Sequence, residues 1–207
     1  MKAYQESNNQ TVLVFYSLIL LAVTALFGCA SNQPGKTTII NPAGNVQSTE
    51  LSSESRADFE AAMGFIKAED YQKSIELLTK VIKASPNQAI PHINLALAYK
   101  KLGKLNESEE QLQLALTAEP DNPVANNEYA LLYRKTGRFT EARQLYEKTL
   151  EKYPNFVMVH KNLGILCDLY MKDYECAHKH YVIYQHAVQD DKTIKNWIAD
   201  IQNRVAK

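Results

Sequence analysis

The sequence is sparing with several residues whose abundance would each have pointed somewhere. In 207 residues it has one tryptophan, three cysteines, seven glycines and seven prolines. Three cysteines are too few for a disulfide scaffold. So few glycines and prolines exclude collagen-like and proline-rich low-complexity chains. Neither sign of charge is in excess, since 23 Lys+Arg face 23 Asp+Glu, and this argues against a globally basic nucleic-acid binder. The spacings H-E-x-x-H and C-x-x-C are missing, and so is any nucleophile motif. Four of the five histidines, His160, His178, His180 and His186, cluster near the C-terminus. Without ligand spacing they read as surface or partly packed imidazoles, so no metal and no cofactor are expected. Pro34-Gly35-Lys36-Thr37 has the tail of a phosphate loop, but Ala30 replaces its first glycine and no strand precedes it. No enzyme and no small-molecule substrate are therefore expected. What remains is 45% apolar and 22% charged, the balance of a folded chain.

One long uncharged run is present. Residues 11–27, TVLVFYSLILLAVTALF, follow Lys2 and the free amine, which is the layout of a secretory signal. The run closes on Leu26-Phe27-Gly28-Cys29, which resembles a bacterial lipobox. That resemblance implies a diacylglycerol on the Cys29 thiol, cleavage after the small Gly28, and acylation of the freed amine. Ala30 follows in place of the aspartate that retains many lipoproteins at the inner membrane. The implied destination is the outer membrane of a Gram-negative bacterium, with the protein facing the periplasm. The alternative is an uncleaved anchor, because seventeen residues is the lower edge of a spanning helix. Residues 29–54, rich in Ser, Thr, Asn, Gln, Gly and Pro, read as the lipidated cysteine and a flexible tether.

From residue 55 the chain repeats. Pro86, Pro120 and Pro154 are spaced 34 and 34 apart, each followed by a candidate helix cap, Asn87, Asp121 or Asn155. In that register, position 8 is always small: Ala62, Ala96, Ala130, Gly164. Position 20 is small as well: Ser74, Ser108, Ala142 and, after a one-residue insertion, Ala177. Position 24 is large: Leu78, Leu112, Tyr146, Tyr181. Gly103 and Gly137 stand where a left-handed residue ends the first helix of a pair, and Glu69 replaces glycine in the first repeat.

This pattern resembles the tetratricopeptide repeat family over residues 55–190. The fold expected is all-α: a right-handed solenoid of four helix-turn-helix repeats (55–88, 89–122, 123–156, 157–190) behind a signal peptide (1–28). Residues 191–207 form the expected capping helix, with Ile194, Trp197, Ile198, Ile201 and Val205 on one stripe. In this family positions 2, 5, 9, 12 and 13 of the first helix line a concave groove. Here they include Phe59, Met63, Ile90, Ile93, Leu97, Lys100, Lys101, Asn127, Leu131, Arg134, Lys135, Lys161 and Ile165, with Asp168 and Leu169 in the last repeat. An apolar stripe with a basic edge suits a protein partner, as peptide or helix, that carries acidic groups. The subtype that clamps a terminal carboxylate with Lys and Asn at positions 5 and 9 of the first repeat is not matched, since Phe59 and Met63 stand there. Lipid-anchored repeat proteins of this build resemble pilotin-like factors that assemble type IV pilus secretins. They also resemble envelope lipoproteins that dock peptidoglycan hydrolases or proteases, and accessories of motility or TonB-type complexes.

Cys167 and Cys176 lie at similar distances from the last helix-helix turn. In an oxidising compartment they form either a disulfide or two buried thiols.

Overall fold

The structure is a computed structural model that describes residues 37–40, 46–49 and 51–205. The signal segment and the lipidation candidate Cys29 lie outside the described residues. The described residues fall in one compact unit. Two short strands, β1 (Thr37–Ile40) and β2 (Val46–Thr49), pair antiparallel with Thr37 opposite Thr49. They fall within the stretch expected to be a tether. Among the described residues, no helix is long and apolar enough to cross a membrane.

The rest is helical. Four pairs follow in order: α1 (Ser53–Lys67) with α2 (Tyr71–Ala84), and α3 (Ala89–Lys101) with α4 (Leu105–Ala118). The third pair is α5 (Pro123–Lys135) with α6 (Phe139–Lys152). In the fourth, α7 (Val157–Ile165) runs into a π-helical segment, Leu166–Met171, before α8 (Tyr174–Ala187). A final helix, α9 (Lys192–Val205), packs on α8.

The small-large code explains the pairing. Ala62, Ala96, Ala130 and Gly164 are all buried, and so are Ser74, Ser108, Ala142 and Ala177, so the two helices of each repeat cross closely. Ser108 hides its hydroxyl by donating to the Ala96 carbonyl at 2.8 Å. Leu78, Leu112, Tyr146 and Tyr181 fill the space beside the crossing and are almost wholly buried. Gly103 and Gly137 adopt φ of +74° and +79° at the turns, where the left-handed region favours glycine. Glu69 and Lys172 take the same conformation without being glycine, at φ 60° and 58°. The four left-handed residues are thus spaced 34, 34 and 35 apart along the sequence. The extra residue of the fourth repeat is absorbed by the π segment, whose wider turn holds one more residue than an α turn.

Helix entry differs from the expectation. Asn87, Asp121 and Asn155 sit in the turn behind each proline, one residue too early to cap. The capping positions are Gln88, Asn122 and Phe156, and only Asn122 supplies a side-chain cap, accepting from the backbone N–H of Val124 and Ala125 at 3.0 Å. Asp191 does the same for α9, accepting from Thr193 and Ile194 N–H. Ile194 and Ile201 of α9 are fully buried, and the Trp197 ring packs 5.5 Å from that of Tyr181, so this helix covers the end of the last repeat.

Candidate partner-binding face

The first helix of each pair (α1, α3, α5, α7) is termed A and the second B. Helix α5 touches both α3 and α7 directly, whereas successive B helices do not come comparably close among the described residues. The stack therefore closes on the A side and opens on the B side, and the A helices form the inner face. Side chains tie this layer together. Asn162 of α7 donates to Asn127 of α5 at 2.8 Å, and the Lys100 ammonium of α3 pairs with Glu128 of α5.

The candidate residues divide into three groups. Phe59, Ile90, Ile93 and Asn127 are buried, so they do not present an open surface. Phe59 and Ile90 pack in one cluster with Leu51 and Ala62, and Ile93 joins Ala115 and Ala125. The expectation of surface is corrected at these four residues, because the three apolar side chains pack into buried clusters between neighbouring elements and Asn127 is bonded to Asn162. A second group keeps partial exposure. Met63, Leu97, Leu131 and Ile165, one from each repeat at position 9, form an apolar row along the inner face. The third group is the basic edge. Lys100 is taken by Glu128, and Lys161 donates to Asp191 and to the Tyr184 hydroxyl. The Arg134 guanidinium lies over the Tyr170 ring, 5.7 Å from its centroid. Lys101 and Lys135 stay exposed with no carboxylate in ion-pair reach among the described residues.

Beneath this edge lies a polar layer with unfilled bonding capacity. Arg134 Nη1 and the Tyr146 hydroxyl are buried without a hydrogen-bond partner among the described residues. Burial holds the Tyr146 phenol well above its usual range, with Glu128 adding and Arg134 opposing. Asp168 is turned inside, where it accepts from the Tyr181 hydroxyl at 3.5 Å and faces Arg204 at 3.8 Å.

Cys167 and Cys176 are joined by a disulfide, their Cα atoms 5.9 Å apart, so the π segment is pinned to the first turn of α8. Asp173 lies beside them, but its carboxylate caps α8 through the Cys176 N–H and pairs with Arg143. Both sulfurs are committed to each other.

The histidines need a correction. Of the four read as surface or partly packed, His178 is partly buried and His186 exposed, whereas His160 and His180 are buried, as is His92 of the second repeat. His160 Nε2–H donates to the Pro154 carbonyl at 2.9 Å, which leaves its Nδ1 to accept from His180 Nδ1–H at 2.8 Å. Burial, then the charges of His160, Lys179 and Arg143, push the His180 pKa down to about 4. In the second repeat His92 uses the same two bonds, to the Pro86 carbonyl and to Gln111. The recurrence of a histidine at position 4, in His92 and His160, was the available sequence signal.

Paired helices stacked behind a common inner face define an α-helical repeat protein. Its class is also legible in sequence comparison: family models described as tetratricopeptide repeat match residues 65–117 and 93–155. Over that stretch the chain is similar to the tetratricopeptide repeat family. No curated protein matches the chain in sequence. Among solved structures, pilF of Pseudomonas aeruginosa shares the fold with a TM-score of 0.67 at 20% identity, over 73% of this chain and 69% of that one. MamA of strain AMB-1 gives 0.58 at 22% identity, over 74% and 83%. MamA of Desulfovibrio magneticus RS-1 gives 0.64 at 12% identity, over 75% and 88%. At these identities the likeness concerns the fold.

Proposed function

We propose that this chain is a lipid-anchored scaffold of the bacterial envelope that binds protein partners through its A-helix face. The observation that carries the reading is the partly exposed row Met63, Leu97, Leu131, Ile165 beside the unpaired Lys101 and Lys135. The fold does not use up this surface, and apolar surface bordered by charge suits a protein segment with apolar and acidic side chains. The anchor rests on the Gly28-Cys29 motif behind an uncharged run of seventeen residues. Lipid on Cys29 would hold the repeats at the periplasmic face of the outer membrane. Within that setting the particular role proposed is assembly factor for a type IV pilus or secretion secretin, in keeping with the fold likeness to Pseudomonas aeruginosa pilF.

Two variants test the two halves. Cys29→Ser is expected to block incorporation of labelled palmitate and leave a longer, unprocessed chain; normal labelling would refute the anchor. Leu97→Asp and Leu131→Asp are expected to abolish co-purification of the partner from cells while far-UV circular dichroism stays unchanged. A co-purified secretin supports the pilus or secretion role, and a murein hydrolase or protease in its place overturns that role. Undiminished capture by both variants would refute the face itself.

A further inference from the structure

The end of the last A helix departs from its equivalents. In the second and third repeats the backbone N–H of Lys104 and Arg138 reaches back five residues, to the carbonyls of Tyr99 and Tyr133. In the fourth, Asp173 N–H reaches back six residues, to Cys167. The added residue changes which side chains face outward. Where the earlier repeats carry Lys100-Lys101 and Arg134-Lys135, the π segment turns Asp168 inside and presents Leu169 and Tyr170. At 52% and 45% exposure these are the two most exposed large apolar side chains among the described residues, and they are neighbours in sequence.

The pair is held in place from several sides. The Cys167–Cys176 disulfide ties its base to α8, and Lys172 closes the turn in the left-handed conformation. The Tyr170 ring rests 4.9 Å from the Phe139 ring and over the Arg134 guanidinium. Apolar groups already fixed in a raised position lose little freedom on binding. Cations stand beside them: Arg134 against the Tyr170 ring, Lys135 next to it in sequence, and Lys172 two residues after Tyr170. Lys135 and Lys172 are exposed with no carboxylate in ion-pair reach among the described residues, and Arg134 Nη1 has no acceptor. The neighbouring carboxylates are engaged elsewhere, Asp168 inside with Tyr181 and Arg204, Asp173 with Arg143.

We infer that the π turn, with Arg134, Lys135 and Lys172 around Leu169 and Tyr170, is a docking site for a protein segment that flanks a bulky apolar side chain with carboxylates. The apolar side chain would cover Leu169 and Tyr170, and the carboxylates would meet the lysines and draw the Arg134 guanidinium out from under the Tyr170 ring. This inference rests on the reading of the A side as the partner-binding side and adds its location and the chemistry of the occupant.

The test uses the full chain and fluorescence anisotropy. The probe is a labelled twelve-residue peptide alternating Asp/Glu with Phe/Leu, compared with one carrying Asn/Gln instead. The acidic probe is expected to bind roughly tenfold or more tightly than the neutral one. Leu169→Ser and Lys135→Glu should each weaken it by roughly tenfold or more. Ile183→Ser, which removes an exposed apolar side chain from α8, should change nothing. Equal binding of both peptides, binding of neither, or indifference to Leu169→Ser would overturn the site. So would binding of phosphatidylglycerol vesicles lost in Leu169→Ser while the peptide is ignored, which would assign the patch to a membrane surface. The adaptor reading fails separately. Cellular partner capture that survives Leu169→Ser but not Leu131→Asp leaves the adaptor standing and removes this site; the reverse pattern keeps this site and removes the Leu97–Leu131 row.

Discussion

At Gly164 a Cβ atom would sit 2.5 Å from Cδ1 of Tyr181. That ring is fully buried and backed by Trp197 at 5.5 Å, so it has nowhere to go. Gly164→Ala is therefore expected to destabilise the fold by about 1–3 kcal/mol, seen as a lower urea midpoint at unchanged slope; an unchanged midpoint would contradict the packing. A second prediction concerns the His160–His180 pair. Its Nδ1 atoms share one proton, and the His180 pKa is depressed to about 4 from an ordinary value of 6.5. Between those values the unfolded chain binds more protons than the folded one, so stability is complete above pH 6.5 and falls as the pH drops toward 4. The loss expected is on the order of 1–3 kcal/mol. His180→Gln, which copies the Gln111 arrangement of the second repeat, should keep the bond and flatten the slope of midpoint against pH. An unchanged slope would show that other groups cause it. The small and large packing positions were legible in sequence because close helix crossing tolerates few residue types. The histidine pair was not, since its partners lie twenty residues apart and on a backbone carbonyl, and neither leaves a periodic trace.

At the scale of elements, helices and turns were legible through glycine, proline and the 34-residue period, because these residues act on the backbone directly. Capping was misplaced at Asn87, Asp121 and Asn155, where the proline turn takes one more residue than expected before the helix starts. The insertion in the fourth repeat was visible as a broken period, but its form was not, since a π segment and an enlarged loop absorb one residue equally well on paper. The structure gives it a π segment with a disulfide at its base. Closing a loop this short restricts the unfolded chain by about 2–3 kcal/mol. In a stack where each repeat contacts only its neighbours, that contribution is local. Replacing both cysteines by serine should therefore speed amide hydrogen exchange across residues 166–188 while leaving 89–135 nearly unchanged. Uniform acceleration along the chain, or none, would contradict this.

At the scale of the molecule, the stack is an inner layer of A helices and an outer layer of B helices closed by α9. Long-range ion pairs such as Arg138–Glu109 and Arg143–Asp173 link successive repeats at their partly exposed edges, where each contributes little by itself. The inner face was only partly legible. Periodicity places Ile93 and Leu97 on the same side of α3, yet one is sealed against a neighbouring element and the other remains partly open. The difference lies in how neighbouring elements pack, which no single repeat encodes. The central claim is that the inner face, and not the outer one, engages a protein partner. It is tested most directly by placing a photoreactive residue at Leu131 and, separately, at Leu114, which is exposed on the outer helix α4. After irradiation in living cells, the account predicts a discrete crosslinked partner from position 131 and none from 114. Capture from 114 alone would put the binding site on the outer layer and contradict it.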